Sequence, residues 1–125
     1  IEPGRNYGWP LVTHGLDYTG AKVSPFKRLD GYVDPLLVWT PSIAPAGLAV
    51  YRGAMYPEWD GDLLVAALAA RELRRVRLKD DGGVEQEVLC KALGERLRDV
   101  RVAPDGAIWL LTDSAEGRVL RMAKP

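Results

Sequence analysis

Two strand-turn-strand segments of matching texture, one opening at Gly61 and the other at Gly106, constrain the fold of this chain most. Gly61-Asp62-Leu63-Leu64-Val65 followed by Leu73-Arg74-Arg75-Val76-Arg77-Leu78 is echoed by Gly106-Ala107-Ile108-Trp109-Leu110 followed by Val119-Leu120-Arg121-Met122-Ala123, and the two glycines stand 45 residues apart. A period of about 40 to 50 residues with several strands per repeat is the signature of a β-propeller. The spacing predicts an all-β chain built of antiparallel four-stranded blades. One complete blade runs from about Leu48 to Cys90, and three strands of another run from about Arg98 to Ala123. Two blades do not close a ring, so open edges and half-covered faces favour aggregation or pairing with other chains unless the missing blades are supplied.

Turn chemistry marks where the strands reverse. Segments such as Leu48 to Tyr51, Asp62 to Leu68, Leu73 to Leu78 and Val84 to Leu89 have the length of ordinary strands. Asp80-Asp81-Gly82-Gly83 and Pro104-Asp105-Gly106 supply residues that tolerate the positive φ of a tight reversal. The stretch from Ala66 to Arg77 is rich in good helix formers, and Leu73 to Leu78 does not alternate strictly; its assignment as strand rests on the repeat. Residues 1 to 47, which hold six of the nine prolines, read instead as a loop-rich leading segment, and residues 48 to 125 as about two blades of a single incomplete domain.

Arg96 and Arg98 carry the strongest chemical signal. Alternate residues of a strand share a face, so these two present paired guanidinium forks to one place, an arrangement suited to carboxylates or phosphates. The competing reading is a pair of solvated arginines bonding Asp99 or Glu95. Asp113 reads first as a strand-end aspartate that makes a turn, with a site acid as the alternative. Trp9, Trp59 and Trp109 read as core or blade-packing residues, and Cys90 as a small buried residue at a strand end. His14, the sole histidine, reads as an exposed loop residue without the partners a zinc site needs.

Bulk properties narrow the classes. With 47% hydrophobic and 27% charged residues the chain has enough apolar surface to fold. Its 17 basic and 17 acidic residues cancel, so no broad field draws nucleic acid or an anionic membrane. No apolar run approaches the roughly 18 residues of a membrane span. No Walker loop, dinucleotide fingerprint, paired Cys-x-x-Cys or nucleophile elbow occurs, which leaves cofactor chemistry as the open route. The start at Ile1, without methionine or a signal-peptide pattern, reads as a cut from something longer.

Three groups of residues carry a family likeness: Gly4-Arg5-Asn6-Tyr7-Gly8-Trp9-Pro10; Trp39-Thr40-Pro41-Ser42-Ile43-Ala44-Pro45-Ala46-Gly47-Leu48-Ala49-Val50-Tyr51; and Arg96 to Arg101 with Pro104-Asp105-Gly106 and Leu110 to Asp113. In their order and spacing they resemble the C-terminal part of soluble aldose sugar dehydrogenases of the glucose/sorbosone dehydrogenase family. The resemblance implies a six-bladed propeller that uses pyrroloquinoline quinone (PQQ), with calcium, to oxidise the anomeric carbon of aldose sugars to lactones, usually in the bacterial periplasm. Residue by residue, it implies that Arg96 and Arg98 approach the quinone and that Trp39 lies against its ring. It implies a hydroxyl at Ser42, with Thr40 as competitor because the alignment slips by one, and a structural calcium site that takes a backbone carbonyl from Tyr7 and a carboxylate from Asp17. Ala69 stands where some members place a quinone-contacting lysine, and Arg71 is a possible substitute. The family's catalytic histidine and its quinone-side calcium loop belong to the N-terminal portion, so the fragment alone should be inactive. The alternative is a non-catalytic propeller module for binding or assembly.

Overall fold

A computed structural model describes all residues, 1–125, and divides them into two compact units, Ile1–Ser42 and Ile43–Pro125. The second unit holds all seven strands. Four of them, β1 (Pro45–Val50), β2 (Leu63–Ala67), β3 (Glu72–Leu78) and β4 (Val84–Leu89), form one antiparallel sheet in chain order. The other three, β5 (Leu97–Val102), β6 (Ile108–Thr112) and β7 (Val119–Met122), form a second antiparallel sheet. One sheet thus has the expected four strands and the other has three. β1 starts at Pro45, three residues before the alternating pattern begins, because a register shift between Pro45 and Gly47 lets Pro45 pair with Ala67.

Each turn follows its local chemistry. In the β5–β6 turn Gly106 takes φ 83°, its N–H donates to the Ala103 carbonyl, and the Ala107 N–H donates to Asp105 Oδ1 at 3.0 Å. In the β3–β4 turn Gly82 takes φ 82° and the Gly83 N–H donates to Asp81 Oδ1 at 2.8 Å.

The core lies between the two sheets. Leu64, Ala66 and Leu73 from the first sheet meet Leu97, Val100, Ile108 and Leu110 from the second, with Tyr51 and Tyr56 closing one end. Tyr51, fully buried, donates its hydroxyl hydrogen to the Gly106 carbonyl at 2.8 Å and accepts the Tyr56 N–H at 3.0 Å. A buried phenol thereby satisfies two backbone groups that water cannot reach. The sheets approach closely at Gly47, where a side-chain Cβ would lie 2.7 Å from the Asp99 Cα. Only glycine admits β5 that near β1.

Charges on both faces of β3 explain its broken alternation. Leu73, Arg75 and Arg77 share one face, and Asp62 at the foot of β2 bonds both arginines, Arg75 Nη1 at 2.8 Å and Arg77 Nε at 2.9 Å. Arg75 also lies over the Trp59 ring, 5.0 Å from its centroid, and Trp59 stacks on Tyr56. On the opposite face Glu72 accepts from Arg74 and Lys91.

Three of the aromatic and cysteine expectations need correction. Trp9 is 72% exposed and Trp109, on the face of β6 opposite Ile108 and Leu110, is 39% exposed; only Trp59 packs against the core. Cys90 lies one residue beyond β4, half-buried at φ 59°, with Sγ 3.8 Å from Met122 Sδ. His14 is half-buried in its loop. No helix is long and apolar enough to cross a membrane.

The first unit, by contrast, is held by loops. Two isolated bridges, Val12 with Phe26 and Leu16 with Lys22, are its only ladder contacts, and within it Gly8 and Val12 alone are buried.

Candidate functional site

Arg96 and Arg98 meet at the start of β5. Their common partner is Asp113, just past the end of β6: Arg96 Nε donates to Asp113 Oδ2 at 3.0 Å, while Arg98 donates to Oδ1 from Nε at 3.2 Å and from Nη2 at 2.9 Å. The reading of a shared face therefore holds, but the anion between them does not come from the neighbours first considered. Glu95 is taken by Arg118, and Asp99 by Arg101 at 3.0 Å and by the Val100 N–H at 2.9 Å. Asp113 is likewise corrected from a turn-maker to the carboxylate that joins the two arginines.

The local strand geometry explains this convergence. Leu97 pairs with Thr112 and Asp99 with Leu111, so Arg98 is the extra residue of a β-bulge. The bulge lets Leu97 and Val100, three residues apart, both face the core. Strict alternation does not allow that. Beyond the last ladder pair, the Asp113 N–H donates to the Arg96 carbonyl at 2.8 Å, which ties the chain bearing the carboxylate to the chain bearing the guanidiniums.

The side chains of Arg96 and Arg98 are 45% and 49% exposed, and that of Asp113 is 29% exposed. Hydrogen bonds from Arg98 and then Arg96 hold the Asp113 carboxyl below the usual aspartate range, so it stays anionic. The Nη groups of Arg96 and the Nη1 of Arg98 take no part in these bonds to Asp113. Two cations on one anion leave a net positive charge on two half-exposed side chains.

Arg71 joins the same end of the sheets. It occupies the β2–β3 turn at φ 52°, and its Nη1 donates to the Gly94 carbonyl at 3.2 Å, two residues before Arg96. The turn itself is anchored by Ile43, whose carbonyl accepts the N–H groups of Ala69 and Ala70. Lys91, unremarked in the sequence, also reaches this turn, bonding the Ala70 carbonyl and Glu72.

The remaining predicted residues lie in the first unit. Trp39 is half-buried and Thr40 and Ser42 are exposed in the coil around Pro41. The Tyr7 hydroxyl accepts the Glu2 N–H at 2.8 Å. Asp17 Oδ1 accepts the Thr19 N–H at 2.8 Å, the Thr19 hydroxyl at 2.7 Å and the Ala21 N–H at 2.9 Å, which makes it the centre of a tight turn.

The sequence profile of the Glucose / Sorbosone dehydrogenase family matches residues 1–121. An uncharacterized protein of Synechocystis is 42% identical over 98% of this chain, which spans 30% of that protein. The aldose sugar dehydrogenase YliI of Escherichia coli is 34% identical over 98% of this chain, which spans 33% of it. Among solved structures, a glucose dehydrogenase superposes with a TM-score of 0.89 at 40% identity, covering 98% of this chain and 36% of its own. The soluble aldose sugar dehydrogenase of Escherichia coli in its apo-form superposes with a TM-score of 0.84 at 34% identity, covering 94% and 35%. The chain thus spans about a third of the relatives it matches. Its two sheets are a partial β-propeller, and the chain belongs to the glucose/sorbosone dehydrogenase family.

Proposed function

We propose that this chain is the cofactor-facing part of a soluble PQQ-dependent aldose sugar dehydrogenase that oxidises sugars at the anomeric carbon to lactones in the bacterial periplasm. One observation carries the reading: the half-exposed Arg96 and Arg98 converge on Asp113 through only some of their N–H donors. Planar guanidinium edges match carboxylates in bidentate fashion, so the donor set fits a flat molecule bearing several carboxylates. When bound, the quinone supplies the two-electron acceptor that no amino-acid side chain can provide. Arg96 and Arg98 would anchor and orient that acceptor and would stabilise negative charge on its oxygens, without moving a proton.

The other assignments extend this reading. Trp39 would offer its ring to the planar ligand, and Ser42 or Thr40 a hydroxyl. Arg71 stands two residues after Ala69, where the resemblance implies a lysine in some members, and its bond to the Gly94 carbonyl leaves the charge beside the Arg96 segment. No residue of this chain is assigned as the catalytic base, so the isolated fragment is expected to be inactive and to require the remaining blades.

Calcium fits these residues less well. The ion takes about six to eight oxygens, whereas Asp17 brings one carboxylate whose Oδ1 already accepts three hydrogen bonds, and no three Asp, Glu, His or Cys side chains gather. Tyr7 and Asp17 could serve only within a larger ligand set, and nothing in the proposed role of the arginines depends on the ion.

Calorimetric titration of the full-length protein with PQQ tests the assignment. Replacing both Arg96 and Arg98 by alanine is expected to weaken binding by about a hundredfold or more, each charge-assisted bond being worth about 1.5–3 kcal/mol. Unchanged affinity in the double variant would instead favour the non-catalytic reading, to which Ala69 at the lysine position already lends some support.

A further inference from the structure

We propose that Asp113 is a positioning residue that sets Arg96 and Arg98 for an anionic ligand, holding both guanidiniums on one carboxylate so that their remaining N–H groups point to a common place. The inference rests on the quinone reading for the ligand's identity, although the clasp itself is a property of the unliganded protein.

Three observations support it. Each carboxylate oxygen serves a different arginine, Oδ2 for Arg96 and Oδ1 for Arg98, so one group fixes the separation and relative tilt of two. The carboxylate is itself fixed, because the Asp113 N–H is bonded to the Arg96 carbonyl at 2.8 Å directly beyond the Leu97–Thr112 pair. The bulge at Arg98 places that side chain within reach of Asp113 while Leu97 and Val100 remain in the core. Without the carboxylate, two like charges at the start of one strand repel, and long side chains at this exposure splay into solvent.

The surrounding charges are otherwise occupied. Arg118 is paired with Glu95, Arg101 with Asp99, and Arg71 with the Gly94 carbonyl. Asp113 is therefore the anion available to Arg96 and Arg98, and with both arginines depressing its proton affinity it is unsuited to act as a base near neutral pH. Its effect on the ligand passes through the arginines.

A carboxylate next to an anion site has two possible consequences of opposite sign, and this makes the proposal testable. If positioning dominates, removing Asp113 weakens binding; if it only offsets the arginines' charge, removal strengthens binding. PQQ affinity of the full-length protein is measured by fluorescence titration for the wild type, Asp113→Ala, Asp113→Asn, Arg96→Ala plus Arg98→Ala, and the triple variant. Asp113→Ala is expected to lose about tenfold in affinity, as for residues coupled in one hydrogen-bond network, and to cost nothing further once both arginines are alanine. Tighter binding in Asp113→Ala, or an equal loss with and without the arginines, would overturn the proposal.

A second measurement needs no quinone. In ¹⁵N spectra of the unliganded protein, the Arg96 and Arg98 Nε–H signals are expected to be protected from exchange and to lose that protection together in Asp113→Ala, which removes both acceptor oxygens. Retained protection would refute the clasp even if the protein binds PQQ. Joint loss of protection with no PQQ binding by the wild type would instead uphold the clasp and refute the quinone.

Discussion

The two units of this chain keep their shape by different means. In Ile43–Pro125 apolar side chains from two sheets form a shared core, and polar groups inside it, such as the Tyr51 hydroxyl, are matched. In Ile1–Ser42 large apolar groups including Trp9, Leu16 and Tyr18 are exposed, and the backbone is shaped by short-range side-chain bonds such as those that Asp17 accepts from Thr19 and Ser24 from Phe26. The same class of residue therefore has different worth in the two places. A hydrophobe is a stability determinant in one and a surface feature in the other.

Substitutions can break or sharpen that contrast. Leu64→Ala, at a fully buried position of the sheet core, is expected to cost about 3 kcal/mol in denaturant unfolding, through lost burial and a residual cavity. A cost near that of a surface mutation would mean that the sheets do not share a core. Tyr51→Phe should cost about 2 kcal/mol, since it strands the Tyr56 N–H and the Gly106 carbonyl in a dry environment.

A smaller effect belongs to Glu72. Burial opposes its ionisation, but hydrogen bonds from Arg74 and Lys91 outweigh that and hold its carboxyl below the usual glutamate range. The unfolded chain then binds this proton more readily than the folded one. Glu72 therefore contributes stability above the ordinary glutamate pKa, and the contribution is lost as pH falls through the lower folded value. Glu72→Gln should flatten the acid limb of a stability-against-pH curve, and an unchanged limb would refute the pairing. In the first unit, Trp9→Ala is expected to change stability by no more than about 0.5 kcal/mol. A larger loss would show that the exposed ring has a role in folding that its surroundings do not reveal.

These contrasts mark where the amino-acid pattern was legible. Hairpins at Asp80–Gly83 and Pro104–Gly106 could be read because glycine and aspartate announce a positive φ locally, and the strands between them follow. β3 was harder, since its two faces both carry arginines whose counter-charges, Asp62 and Glu72, are recognisable only once the strands are paired. The bulge at Arg98 could not be read from strict alternation, although Leu97 and Val100 three residues apart were its one visible trace. Asp113 stayed hidden because its partners lie 15 and 17 residues away and the nearer acids Glu95 and Asp99 competed for the same arginines. Trp9 and Trp109 were misplaced because aromatic size alone says nothing of which face is covered.

The most direct test of the account is an experimental structure of the full-length protein with PQQ bound. It should find nitrogens of Arg96 and Arg98 within about 2.7–3.2 Å of the ligand's oxygens, with Asp113 still bridging the two guanidiniums. A structure in which the quinone lies elsewhere and both arginines remain turned to solvent would contradict it.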